Sequence, residues 1–478
     1  MIAALYMSAF RHGRALWIAR IIPAIALVAL MVASGSMPAH ALEIRTLKSP
    51  EGIPFWLVQV QELPVVTVDF AFKGGTALEP AARAGAATLA SGLLVEGAGD
   101  MDGPAFQDAL AARAVEFSTN VSRDRFSGSF RSLATVAPDA ADLVGLALTR
   151  PRFDAEAMER DRQQLLVGLA RDAENPQVIA SRSLLEGLFP ADPYGRPDEG
   201  TPETMSAIQR DDLMAYAGAQ FTRARLTVGV VGDITPEAAG QVVDRAFAAL
   251  PAGEGDVMTR PVEPAFFGET VVDRPIPQTV ITFALPGIRR NDPDWFPAFV
   301  MNHILGGGSF TARLFKEVRE ARGLAYSVGT TLFPLDRAGL IYGYAATRND
   351  RARETVQVIR EQISRFVAEG PTEAELAGAK KFLTGSFPLS LDGSGAVAGL
   401  LVTMQIHNLP PAYLDNRSAL IEAVTAEDVK RVAARLLDTD RLAVVMVGQP
   451  APAEAGHAAV ASPPSDAPPS SGASSTSH

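Results

Sequence analysis

The sequence predicts an α+β protein of two homologous domains, each a largely antiparallel sheet packed with helices. Two observations predict it: a long-range internal repeat, and the same order of strand-like and helix-like segments in both halves. Residues 207–232 (AIQRDDLMAYAGAQFTRARLTVGVVG) align without a gap with residues 423–448 (AVTAEDVKRVAARLLDTDRLAVVMVG), at an offset of 216 residues. Eight of these 26 positions are identical, among them Asp212/Asp428, Arg225/Arg441 and Gly232/Gly448. Each copy reads as a helix, a short turn and a buried strand. Thr425 is placed to cap the second helix, with Asp428 three residues on as its box partner. The openings also match, since Thr67–Phe72 (TVDFAF) and Val280–Leu285 (VITFAL) are both strand-like and lie 213 residues apart. A near-constant offset at both ends means duplication of a whole domain; a solenoid would repeat at a much shorter period.

The punctuation sets the boundaries. Proline, glycine and charge cluster over residues 251–264 (PAGEGDVMTRPVEP), dividing a domain at 42–255 from one at 260–449. Strands, then a helix, then more strands and a run of helices in each half suggest mixed layers rather than alternating βα units. Residues 450–478 are rich in Ala, Ser, Pro and Gly. Such a tail buries too little apolar surface to offset its ordering entropy and reads as disordered. Residues 1–41 read as an export signal. Arg11, Arg14 and Arg20 precede or open the apolar run Ile21–Ala33, and Ala39-His40-Ala41 has the small-x-small pattern of a cleavage site. The alternative is an uncleaved anchor, but 13 residues is short for a span of about 20. The expected location is the periplasm or another exported compartment, with no stable membrane anchor.

Composition removes several functions. The 478 residues include no cysteine, which excludes disulfides, thiolate metal sites and cysteine nucleophiles. Loss of the leader takes the formal net charge from −11 to −14. An acidic surface repels phosphate backbones, so no nucleic-acid partner is expected. The two domains contain two histidines, His303 and His407, 104 residues apart, and neither has a histidine at helical spacing. No G-x-S-x-G elbow is present, and Gly306–Phe310 (GGGSF) lacks the Lys-Ser/Thr end of a phosphate loop. That stretch reads as a place where another backbone comes close. His303 reads as a structural helix-face residue.

The paired domains, the stretch Leu305–Val328 (LGGGSFTARLFKEVREARGLAYSV) and the segment Pro193-Tyr-Gly-Arg-Pro197 with Gly200-Thr201 resemble the pitrilysin/insulinase family of zinc peptidases. The likeness spans about residues 43–449 and implies half of a clamshell. Active members carry H-x-x-E-H on a helix of the first domain, with a distal glutamate about 76 residues on. The histidines hold zinc and the glutamate activates its water. The matching stretch here, Ala84–Gly97 (AGAATLASGLLVEG), puts Thr88, Ser91 and Gly92 at those positions, and the distal ligand falls at Gly168. Neither a metal site nor any other cofactor is therefore expected in this chain. Glu96 reads as a solvated helix end.

In the second domain the resemblance implies a role for Arg319 and Tyr326. Residues 310–321 read as a helix ended by Gly323, and 324–332 as a strand. An arginine and a tyrosine seven residues apart approach the zinc site of the other half of the clamshell in the family. Both donate hydrogen bonds at neutral pH and can steady a developing oxyanion. Without the resemblance the two read as a helix-end cation and a strand filler. The expectation is a non-catalytic subunit that helps form a peptide chamber. A relative bearing H-x-x-E-H would hold the zinc. A peptide-binding or assembly protein with no proteolytic role is the alternative; independent hydrolysis lacks any activated nucleophile.

Overall fold

The computed structural model describes residues 42–255 and 260–452. The expected signal at 1–41 and nearly all of the expected tail lie outside them. Among the described residues no single helix is long and apolar enough to cross a membrane.

The described residues hold thirteen strands: β1 (Ile44–Lys48), β2 (Pro54–Gln59), β3 (Val65–Lys73), β4 (Gly97–Ala98), β5 (Met101–Asp102), β6 (Glu116–Val121), β7 (Arg125–Leu133), β8 (Leu226–Gly232), β9 (Glu269–Asp273), β10 (Gln278–Pro286), β11 (Ala325–Pro334), β12 (Gly339–Arg348) and β13 (Ala443–Gly448). The first sheet runs β1-β2-β8-β3-β7-β6 and the second β9-β13-β10-β12-β11. The first sheet matches the second strand for strand once β1 is set aside. The β2–β8 and β9–β13 pairs are parallel and the remaining pairs within the two sheets antiparallel. The duplication read from the sequence is thus a duplication of topology, and the α+β fold holds.

The repeated residues explain themselves. Both aligned helices, Arg210–Gln220 and Ala426–Leu436, begin in a capping box, Gln209/Asp212 in one and Thr425/Asp428 in the other. Gly232 and Gly448 close the matching strands with φ near +147°. A Cβ on Gly232 would lie 2.1 Å from the Val65 carbonyl oxygen; one on Gly448 would lie 2.8 Å from the Thr279 hydroxyl. Each glycine is kept because another strand's backbone passes there.

One face of each sheet packs on its own half's core. Along β3 the alternation sends Val66, Val68, Phe70 and Phe72 into the first core. The other face is covered by a helix borrowed from the opposite half. Helix Ser394–Ile406 lies on β3 and β8, while Pro176–Leu188 lies on β10 and β13. The exchange is reciprocal in detail, since Thr67 of β3 hydrogen-bonds Ser394 at 2.8 Å and Thr282 of β10 donates to the Ala180 carbonyl at 3.1 Å. Neither sheet is covered on both faces by its own half.

The Pro193–Pro197 segment forms a clasp between halves. Tyr194 is fully buried, and its hydroxyl donates to Asp124 at 2.5 Å and accepts from the Arg337 amide at 3.2 Å. Arg125 grips Asp336 through two bonds of 2.5 and 2.6 Å, and Arg337 pairs with Asp192. Burial and the neighbouring Asp336 hold the Asp124 carboxyl above its ordinary range.

Candidate functional site

The helix at the position of the zinc motif is Ala86–Leu93, eight residues long. Gly85, with φ +97°, sits at its N-cap and offers no side-chain acceptor. Glu79 fills that role. Its carboxylate accepts from the Gly85 and Ala87 amides at 3.1 and 2.5 Å. Burial pushes the Glu79 carboxyl up to about 7, even though those amides and Arg196 pull the other way.

None of the four positions offers a metal ligand of the usual kind. The Thr88 hydroxyl is spent on the Asp198 carbonyl at 2.8 Å. Ser91 bonds Thr119 of β6 twice, through its hydroxyl at 3.1 Å and its carbonyl at 2.7 Å. A Cβ on Gly92 would stand 3.3 Å from an Asp161 oxygen, whereas one on Gly168 would meet nothing within 4 Å. Asp161 and Gly168 share helix Ala155–Asp172, which packs against Ala86–Leu93. The residues present do not fit zinc: a committed hydroxyl, a second bonded hydroxyl and two glycines supply no imidazole or carboxylate. Among the described residues no group of three His, Cys, Asp or Glu side chains is placed to hold a metal. Glu96 differs from expectation. It is half-buried and paired with Arg160 at 2.5 Å, because Arg160 also lies beside Asp161 and the three side chains share one spot. Burial, then Glu96, raises the Asp161 carboxyl.

Arg319 and Tyr326 do come together. The expected helix over 310–321 is replaced by a less regular path. Ser309–Thr311 is a 3₁₀ turn and Phe315–Glu320 a π-helical one. A second π turn, His303–Gly307, precedes them. The triple glycine is the cause: Cβ atoms on Gly306 and Gly307 would fall within 2.7 Å of Thr330 and Asn302 atoms, so the chain widens its turn to lie against β11. Gly323, φ +59°, then ends the helical stretch as read from the sequence. The β11–β12 register shifts between Ala325 and Ser327, which makes Tyr326 the extra residue of a bulge. Bulges re-aim side chains, and Tyr326 is 80% exposed at the start of an edge strand.

The Arg319 guanidinium lies between two rings, 4.7 Å from the centroid of Phe315 and 4.7 Å from that of Tyr326. Stacking of this kind fixes a long side chain without using its N–H donors. Neither the guanidinium nor the Tyr326 hydroxyl has a hydrogen-bond or ion-pair partner among the described residues. The pair is held in place with its donors free. Sequence reading missed Phe315, although its spacing of four from Arg319 was the available signal. His303 is buried and stacked on Phe382 at 5.0 Å, as its structural reading expected.

With this geometry in place, the comparisons with known proteins add a family-level likeness. A profile described as the peptidase M16 inactive domain matches residues 207–383. A crystal structure of a peptidase M16 inactive domain from Pseudomonas fluorescens superposes with a TM-score of 0.81 and 29% identity, over 87% of this chain and all of that one. Residues 207–383 thus match the M16 inactive domain, and the chain as a whole resembles M16 proteins in sequence and fold. This is the pitrilysin/insulinase resemblance read above, in the form that lacks the zinc motif. An uncharacterized zinc protease of Mycobacterium tuberculosis is 28% identical over 409 residues, covering 84% of this chain and 92% of the relative. The non-peptidase homolog YmxG of Helicobacter pylori is 28% identical over 334 residues, 68% of this chain and 76% of its own. Subunit beta of the mitochondrial-processing peptidase of Lentinula edodes is 25% identical over 324 residues, 64% of this chain and 69% of its own. With Thr88, Ser91, Gly92 and Gly168 at the motif positions, this chain lacks the zinc-binding residues of the active members it resembles.

Proposed function

We propose that this chain is the non-catalytic subunit of an exported, two-chain M16 peptidase. It forms one wall of a peptide chamber and donates Arg319 and Tyr326 to the active site of a relative that bears H-x-x-E-H. The observation that carries the reading is the pair itself: two aligned donors, stacked in place by Phe315 and a bulge, with nothing of their own to bond. One relative is named as a subunit of a processing peptidase, which supports a two-chain arrangement. In the closed complex a water activated in the partner's site would add to the peptide carbonyl. Arg319 and Tyr326 donate to the carbonyl oxygen as it gains charge. They hold that oxygen more tightly as it gains charge than in the bound peptide, which is why their loss falls on turnover.

The experiment mixes this chain with its H-x-x-E-H relative and follows peptide turnover. Arg319→Ala or Tyr326→Phe is expected to lower turnover about ten- to a thousand-fold, mostly in kcat, with pairing unchanged by size-exclusion. Wild-type turnover in both paired variants would remove the donor role.

One observation favours the second reading, a peptide-binding wall without proteolysis. β6 is an exposed edge strand, and it is the strand that Ser91 of the former motif helix bonds through Thr119. A peptide can add to such an edge through backbone hydrogen bonds alone. Peptide binding by the isolated chain, with no added turnover beside any relative, would favour that reading. Export through residues 1–41 is part of the proposal, and the intact mass of the exported protein, starting at Leu42, would support it.

A further inference from the structure

Where the two halves meet, a cleft of about 650 Å³ opens between β3, the turn before β8, and the loops after β10 and β11. Its charge is opposite to that of the chain. The whole protein has a formal net charge of −11, yet Asp336 is the one acid among the described residues that line the cleft. Asp336 is already neutralised by the two bonds from Arg125. Three further arginines remain, Arg225 from the first half and Arg289 and Arg290 from the second.

Their surroundings leave charge to be met. Arg290 bonds the Tyr413 hydroxyl at 2.6 Å and lies 4.4 Å over the Trp295 ring, partners that orient it and carry no carboxylate. Arg225 reaches the Glu254 carbonyl through Nε at 3.4 Å, but its Nη1 is buried with no hydrogen-bond partner. The Arg289 side chain is exposed and makes no ion pair among the described residues. Burial works against the charge on Arg225 and on Arg290 and lowers the pKa of each. His407, on the same wall, is pushed down to about 4, first by burial and then by Arg125 and Arg290. The end of helix Ser394–Ile406 also faces the cleft and contributes about half a negative charge. That is small against three guanidinium groups.

We propose that this cleft binds a small, multiply charged anion bearing phosphate or carboxylate groups, gripped by Arg225 from one half and by Arg289 and Arg290 from the other. Planar guanidinium forks pair with both kinds of group through two parallel N–H···O bonds. Because the arginines come from both halves, the anion acts as a tie between them, and binding stabilises the folded chain in proportion to its occupancy.

The test uses the whole mature chain with pyrophosphate and citrate as probes, each compared with sodium chloride at equal ionic strength. The expected result is a higher thermal midpoint with at least one probe. Calorimetric affinity should be at least about tenfold weaker in Arg225→Gln/Arg289→Gln. Arg289→Gln alone guards against misfolding, since that side chain is exposed. A response to pyrophosphate alone assigns phosphate chemistry, to citrate alone carboxylate chemistry, and to both a site that selects by charge. No shift beyond that of chloride, or an equal shift in the double variant, overturns the proposal. Peptide turnover plays no part in these readings, so they stand apart from the subunit role.

Discussion

The two halves share five strands in one order, and an eight-residue helix follows each matching central strand, yet the two helices end in different ways. After β3 comes Ala86–Leu93, a short regular helix with its hydroxyls spent on neighbours and its N-terminus capped by a buried carboxyl. After β10 comes a regular helix too, Trp295–Asn302, but it runs on into two π turns, a 3₁₀ turn, Ser309 at φ +49° and the bulge at Tyr326. Irregular backbone of this kind costs energy and persists where something else requires it. The difference teaches that the first half has been settled by packing, whereas the second keeps a poised feature without internal partners.

Substitutions at equivalent positions can break or sharpen this comparison. The largest effect is expected at the strand-end glycines. Gly232→Ala drives a Cβ into the Val65 carbonyl at positive φ and should cost about 3–5 kcal/mol. Gly448→Ala meets a movable Thr279 side chain first and should cost about half of that. Equal losses in chemical denaturation would mean that the Thr279 side chain gives no relief and that the shared positive φ sets the cost at both ends. Next is the clasp. Asp336→Ala removes the bidentate carboxylate of a half-buried Arg125, leaving it the Asp124 carbonyl, and should cost about 2–4 kcal/mol. A loss of a few tenths would mean that water already serves the pair.

A pH series separates the capped helix from the rest. Glu79 has a folded pKa of about 7 against 4.5 for its ordinary value. Between those limits the folded chain holds a proton that the unfolded chain has lost, so stability falls as pH rises from about 4.5 to about 7. The full fall attributable to Glu79 is on the order of 3 to 3.5 kcal/mol. Glu79→Gln should flatten the profile across that window, whatever its constant cost. Asp69, raised by burial to about 6, should leave a smaller residual slope of the same sign. The smallest effect belongs to a repeated cap: Thr425→Ala removes the acceptor for the Asp428 amide and should cost about 1 kcal/mol.

Much of this was legible in the chain. The offset between Gly232 and Gly448 announced duplicated topology because both glycines answer the same steric demand. Thr425 and Asp428 announced a cap that formed as written. The exchanged helices were not legible, since Thr67–Ser394 and Thr282–Ala180 join residues far apart and no local pattern reports which half a helix covers. The site was half legible. Its residues came from a resemblance, but the π-helical turn that carries Phe315 and Arg319 and packs on β11 is a tertiary feature that overrode a local helix signal. Glu96 was misread because its partner Arg160 lies 64 residues away.

The most direct test of the account is turnover by the two-chain mixture with Tyr326→Phe in this chain. The substitution removes one hydroxyl that has no partner in the free protein and keeps the ring that stacks on Arg319. The account predicts wild-type folding and pairing with kcat lowered at least about tenfold; wild-type kcat in the paired variant would contradict it.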